Sequence, residues 1–198
     1  MKTDICALSN DTASLTAILD ETEKAASYCG LEKKQAGRLR LLAEELVGML
    51  PQLLEFSQGD FWVESKDKSF ELHVALTPNT AMTVEKRESL LALSSDGRNA
   101  AAKGIMNKIR LAASFMLLDY EQVSAAMPPM HDFYATGLTS VALFPDSSWS
   151  LNAYRARAQE AKNEAWDELE KSIVANVADD VLVGVQGRRV DIIVKKSF

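Results

Sequence analysis

The last strongly patterned stretch of the sequence limits the fold more than any other. Val181, Val183 and Val185 share one phase of a two-residue repeat, Gly187-Arg188 interrupts it, and Val190, Ile192 and Val194 resume it. A period of two over β-branched residues is the pattern of a strand, and a turn pair between two such runs predicts a β-hairpin. A hairpin alone buries too little apolar surface to be stable in water, so the rest of the chain must supply more strands and a covering layer.

A second hairpin is written in the middle of the chain. Phe61 and Val63, with Trp62 between them, form its first strand. Phe70, Leu72, Val74 and Leu76 alternate with Glu71, His73 and Ala75 in its second, and Asp67-Lys68 makes a short polar turn. Alternation of this kind implies an antiparallel pair with one buried and one wet face. His73 falls in the outward phase, as an exposed or half-exposed strand histidine.

Helical spacing fills most of the remainder. Asn10 or Asp11 offers an N-cap for a helix carrying Leu15, Ile18, Leu19, Thr22, Ala25, Ala26 and Cys29, which Gly30 ends. Residues 2–9 before it fit an edge strand. A helix from about Glu32 to Leu50 carries Leu39, Leu42, Ala43, Leu46, Met49 and Leu50, and Pro51 should kink or end it. Further helices are expected from about Val84 to Leu93, around Ala101 to Met116, and from Asn152 to about Ala178. The turn Ser94-Ser95-Asp96-Gly97 separates the first two.

The stretch from about Leu118 to Leu151 has no clean period and includes Pro128-Pro129 and Pro145. A run this long without structure is uncommon inside a compact domain, so it reads as a lid-like insertion. Its methionine and aromatic content, including Met127, Met130, Phe133, Tyr134, Phe144 and Trp149, suits either a partner surface or a cover over the core. The expected fold is therefore one domain over 1–198. It is a two-layer α/β sandwich whose mixed, mainly antiparallel sheet has about five strands, with helices on one face.

Charge and composition exclude several functions. With 47% hydrophobic and 25% charged residues the chain is an ordinary globular sequence. A net charge of −6 repels phosphate backbones, and the basic clusters Lys33-Lys34 with Arg38 and Arg40, Arg188-Arg189 and Lys195-Lys196 are not interleaved with aromatic residues. No nucleic-acid partner is expected. No run approaches the roughly 18 apolar residues of a membrane span, and the opening Met1-Lys2-Thr3-Asp4-Ile5 leads into no signal-peptide core, so the expected location is cytoplasmic. Cys6 and Cys29 are read as buried free thiols. With His73 and His131 the only histidines, neither a zinc site nor a histidine-based triad is expected.

The order strand, helix, helix, hairpin, variable helical region, helix, hairpin resembles the Bergerat-type ATP-binding fold of histidine-kinase catalytic domains and gyrase-type ATPases. Among these the anti-sigma-factor serine kinases are the most similar in size. Two segments carry the likeness. Leu39-Arg40-Leu41-Leu42-Ala43-Glu44-Glu45-Leu46-Val47-Gly48-Met49-Leu50 looks like the family's first nucleotide-binding helix. Ser172 through Val194 looks like its last helix and closing hairpin.

The resemblance implies a catalytic glutamate at Glu45 and a magnesium-holding asparagine one turn later. That second position is Met49, whose thioether is no ligand for a hard cation. It implies an adenine-reading aspartate and glycines after the central strand, where Leu76-Thr77-Pro78-Asn79-Thr80 stands instead. The glycine-rich phosphate lid reduces to Asp96-Gly97-Arg98 and Lys103-Gly104. Glu45, Met49, Thr77, Asn79, Gly97, Lys103 and Gly104 are the pocket positions if a nucleotide is retained. Glu44 and Glu45 also fit solvated helix residues, Asp96-Gly97 an ordinary turn, and Gly104 close helix packing. The expected function is an anti-sigma-factor-like regulatory module with ATP binding weak or lost, whose candidate partners are a sigma factor, its antagonist or a second copy of itself. No cofactor is expected. The alternative is a divergent but active serine kinase that uses ATP and magnesium.

Overall fold

A computed structural model describes residues 1–8, 12–53, 56–79, 148–161, 172–186 and 188–198, together with residues 105, 109, 112–114, 116 and 117. The expected helix at Val84–Leu93, the turn at Ser94–Gly97 and most of the 118–151 stretch lie outside them.

The elements follow in the order β1 (Cys6–Ala7), α1 (Thr12–Tyr28), α2 (Lys33–Leu53), β2 (Phe56–Lys66), β3 (Ser69–Pro78), β4 (Ser148–Ser150), α3 (Leu151–Ala161), α4 (Ile173–Val177), β5 (Asp180–Gln186) and β6 (Arg189–Ser197). The strands form one sheet in the order β1-β2-β3-β6-β5-β4. Each neighbouring pair is antiparallel, so the sheet of the described residues is antiparallel throughout rather than mixed, and it has six strands rather than five. The additional strand is Ser148–Ser150, at the end of the stretch read as an insertion. Three residues of Ser-Trp-Ser carry no alternating run from which a strand could be read.

Local chemistry sets the helix ends. Gly30 takes a φ of 65° after α1. Its amide donates to the Ser27 carbonyl at 3.1 Å and the Leu31 amide donates to the Ala26 carbonyl at 3.0 Å, the paired bonds of a Schellman stop. At the start of α2 the Gln35 side chain accepts from the Glu32 amide at 3.0 Å, which is the backward half of a capping box. The helix then runs through Pro51 to Leu53. A proline in the last turn forfeits only one backbone bond to the preceding turn, so it does not end the helix where the sequence suggested. The helix expected from Asn152 to Ala178 is not continuous. Ser172 is extended (φ −91°, ψ 123°), and its hydroxyl accepts from the Ala175 amide to begin α4 afresh.

One side of the sheet is the core. Phe61 and Val63, then Phe70, Leu72, Val74 and Leu76, then Val190, Ile192 and Val194, then Val181 and Val183 are all buried. They join a single cluster with Ile18 and Leu19 of α1, Leu39, Leu42, Leu46 and Leu50 of α2, and Val174 of α4. Ile105, Ile109, Ala113 and Leu117, helical and four residues apart, enter the same cluster. Fully burying such a side chain contributes about 1.5–3 kcal/mol each, which is why the sequence pattern of both hairpins is obeyed. The helices thus lie on one face, as expected.

Two close fits hold the ends of the sheet. The N-terminal segment follows β2 from Lys2, bridged to Glu64, to Leu8, whose amide donates to the Gly59 carbonyl at 2.7 Å. A Cβ on Gly59 would stand 2.9 Å from both Leu8 Cβ and Leu76 Cδ2. At the other edge, Asp180 accepts from the Asn152 amide at 3.0 Å, while Arg155 donates to the carbonyls of Asp179 at 3.0 Å and Ala178 at 3.2 Å. This clamp ties the first turn of α3 to the chain leaving α4. Trp149 is partly buried against the core and packs on Tyr154 with ring centroids 5.9 Å apart.

Gly59→Ala is expected to cost about 1–3 kcal/mol, because Leu8 Cβ is fixed to a paired backbone and cannot swing aside. Urea unfolding of the variant measures this; an unchanged midpoint would mean that β1 sits elsewhere. Trp149→Ser should likewise lower the unfolding midpoint, since its ring covers core residues instead of standing free for a partner.

Candidate functional site

The pocket positions suggested by the sequence are only partly brought together. Glu45 lies on α2, partly buried beside the core residue Leu46, and Met49 follows in the same helix. Thr77 and Asn79 lie at the end of β3 and just beyond it, partly buried and exposed respectively. Strand alternation puts Thr77 in the phase of Glu71 and His73, on the face turned away from the helices. Pro78, which is buried, takes the helix-side phase of Leu76. Glu45 and Thr77 therefore belong to opposite faces of the sheet. Gly97, Lys103 and Gly104 lie outside the described residues.

The outer face of the sheet carries a cluster that sequence reasoning did not assemble. The two-residue turn at Asp67-Lys68 pairs Lys66 with Ser69, and the same register sets Glu64 opposite Glu71 and Trp62 opposite His73. β6 adds Lys195 opposite Glu71 and Ile193 opposite His73. Lys2 bridges Glu64 from the other side. A row Lys2, Glu64, Glu71, Lys195 thus crosses four adjacent segments, with two like charges facing each other in its middle. Facing carboxylates on paired strands repel, and the flanking lysines offset that repulsion.

The side-chain contacts follow this row. Lys2 Nζ lies 3.1 Å from Glu64 Oε1, and the Trp62 indole donates to the same oxygen at 2.9 Å. Lys195 Nζ lies 3.1 Å from Glu71 Oε1. The Trp62 ring is sandwiched. Lys2 Nζ stands 4.6 Å from its centroid, and the His73 imidazole stacks at 4.8 Å with an interplanar angle of 5°. This stacking leaves the His73 side chain only 13% exposed, more covered than a half-exposed strand position. Its Nε2 lies 3.3 Å from Glu71 Oε2, close enough for an ion pair but without hydrogen-bond geometry, so the buried nitrogen has no hydrogen-bond partner.

The electrostatics are those of a half-covered polar patch. Burial holds the His73 imidazole below its ordinary value of 6.5, with Lys2 adding to the effect and Glu64 and Glu71 opposing it. The indole hydrogen bond, followed by Lys2, lowers Glu64. Burial raises Asp191, which lies opposite Ala75 and pairs with Arg189 at 2.9 Å, and Arg189 and His73 oppose the rise. The nearest donor atoms of Glu64, Glu71 and His73 all lie within 4.8 Å of one another, a separation from which a divalent cation can gather ligands. Cys6 and Cys29 are free and partly buried, as thiols rather than a disulfide, and burial raises Cys6. Comparison of the chain with protein-family models and with curated proteins finds no match.

The direction of the His73 shift gives a pH signature. Between its ordinary value of 6.5 and its lower folded value, the unfolded chain binds a proton that the folded chain does not. Stability must therefore fall as pH drops through that window, and the loss stops below the folded value. Urea unfolding in chelator-containing buffer from pH 7.5 to 5 should show a steeper loss for the native sequence than for His73→Gln. Equal slopes would show that His73 titrates as it does in the unfolded chain.

Proposed function

We propose that the chain is a regulatory, protein-binding module built on a kinase-like ATP-binding framework, anti-sigma-factor-like, in which ATP binding is weak or lost. The element order and the two covered hairpins support the framework. The observation that carries the loss of nucleotide is the end of β3. There the helix-side position is Pro78, buried and without a carboxylate, flanked by Thr77 in the outward phase and exposed Asn79. This set offers only neutral acceptors, a hydroxyl and an amide oxygen, and no carboxylate for an adenine amino group. On α2 the residue one turn beyond Glu45 is Met49, which offers a thioether where a magnesium ion needs oxygen.

A framework kept without its nucleotide chemistry is left with recognition, and the family analogy makes a protein the thing recognised. A sigma factor or its antagonist is the partner class that the resemblance implies, and serine kinase activity is not expected.

Isothermal calorimetry with ATP and magnesium should give no affinity tighter than about 1 mM. A micromolar, magnesium-dependent affinity would overturn the proposal and install the active-kinase reading. Met49→Asn alone should not restore binding, because the position at the end of β3 would still lack its carboxylate.

A further inference from the structure

We propose that Glu64, Glu71 and His73 form a site for a borderline divalent cation of the zinc class on the outer face of the sheet, away from Glu45 and independent of nucleotide. Three observations converge on it. The first is the donor set, one imidazole nitrogen and two carboxylates, whose atoms lie within 4.8 Å of one another. Zinc bonds of about 2.0–2.2 Å to three such donors require separations nearer 3.5 Å, a closure that rotation of two glutamate side chains supplies.

The second is His73 Nε2 itself, buried, without a hydrogen-bond partner and 3.3 Å from Glu71 Oε2. A buried imidazole nitrogen this close to a carboxylate oxygen, without hydrogen-bond geometry to it, can join that oxygen in a shared cation site once it binds in its neutral form. The third is the way the glutamates are held. Lys2 and the Trp62 indole both engage Glu64 Oε1, and Lys195 engages Glu71 Oε1. Each carboxylate is thus oriented through its Oε1, and Glu71 Oε2 is the oxygen beside His73 Nε2. Such outer partners commonly fix ligands in protein metal sites, here with the opposing effect that two lysine charges weaken the hold on a dication. An oxygen-only cation such as magnesium gains nothing from the imidazole, whereas zinc does.

The test uses the full chain with Cys6→Ser and Cys29→Ser, which removes the thiols that would compete for zinc, after stripping with a chelator. Titration with zinc chloride is followed by calorimetry and by tryptophan emission. The expected result is saturable binding of one zinc per chain, with a change in tryptophan emission that His73→Gln loses. The unfolding temperature should rise with zinc. His73→Gln and Glu71→Gln should each weaken binding at least tenfold. His131→Ala should leave it unchanged, and Lys195→Met should tighten it several-fold by removing an opposing charge. Circular dichroism in chelator checks that each variant is folded; His73→Gln keeps a side chain that can still stack on Trp62. Absence of saturable binding up to millimolar zinc, or equal binding by His73→Gln, would overturn the site and leave the cluster as a lysine-balanced charge row.

Discussion

The register of the β2–β3 hairpin is the constraint on which both faces of this molecule depend. Asp67 and Lys68 form the turn, and Asp67 takes a φ of 56°, a conformation that aspartate tolerates better than most residues. Everything across the pair follows. Ser65 meets Phe70, Val63 meets Leu72 and Phe61 meets Val74. A slip of β2 by one residue against β3 would carry Phe61 and Val63 to the outside and bring Trp62 and Glu64 against the helices. The apolar surface lost, with a carboxylate buried in exchange, leaves no competing register. β6 then reads its own register from β3, setting Val194 opposite Leu72 and Ile192 opposite Val74, and β5 takes its register from β6.

The outer face is the other consequence of that register. Once the core residues occupy one phase, Glu64 and Glu71 are forced to face each other and Trp62 to face His73. The chain answers the like-charge pair from both flanks, with Lys2 on the N-terminal segment and Lys195 on β6. Exposed pairs of this kind contribute little each, about 0–1 kcal/mol, so the row is not what holds the sheet together. Its significance is chemical, because it gathers an imidazole, an indole, two carboxylates and two ammonium groups on four adjacent segments.

Much of the fold was legible because apolar periodicity and turn chemistry agreed. Both hairpins, the α1 stop at Gly30 and the stripes of α1 and α2 read directly from residue spacing. What could not be read had no local pattern. Ser148–Ser150 is a strand only because β5 is beside it, and the break at Ser172 is a capping event inside a sequence that keeps helical spacing. The outer-face cluster was latent in the Asp67-Lys68 turn. Counting outward from that turn pairs Glu64 with Glu71 and Trp62 with His73, but the contributions of Lys2 and Lys195 require the sheet order. The same counting along β3 separates Thr77 from the helix side and puts Pro78 there, a distinction of phase that aligning the strand end by residue type alone does not make.

The two faces also bear on the proposed loss of nucleotide chemistry, because the fold does not depend on the positions concerned. The core runs through Leu39, Leu42, Leu46 and Leu50 on α2 and through Phe70, Leu72, Val74 and Leu76 on β3. Of the positions the resemblance assigns to nucleotide contact, Glu45 lies between these on α2, and Thr77 and Asn79 follow Leu76. Substitution at the margin of the core changes what can bind there while leaving the buried set intact, whereas substitution within the stripe would cost a cavity of several kcal/mol. A sheet whose outer face is set by the same register but makes no contribution to the core is free to acquire chemistry of its own. That separation is why the cation site proposed on Glu64, Glu71 and His73 and the proposed loss of ATP at the far side of the sheet are independent statements about one chain.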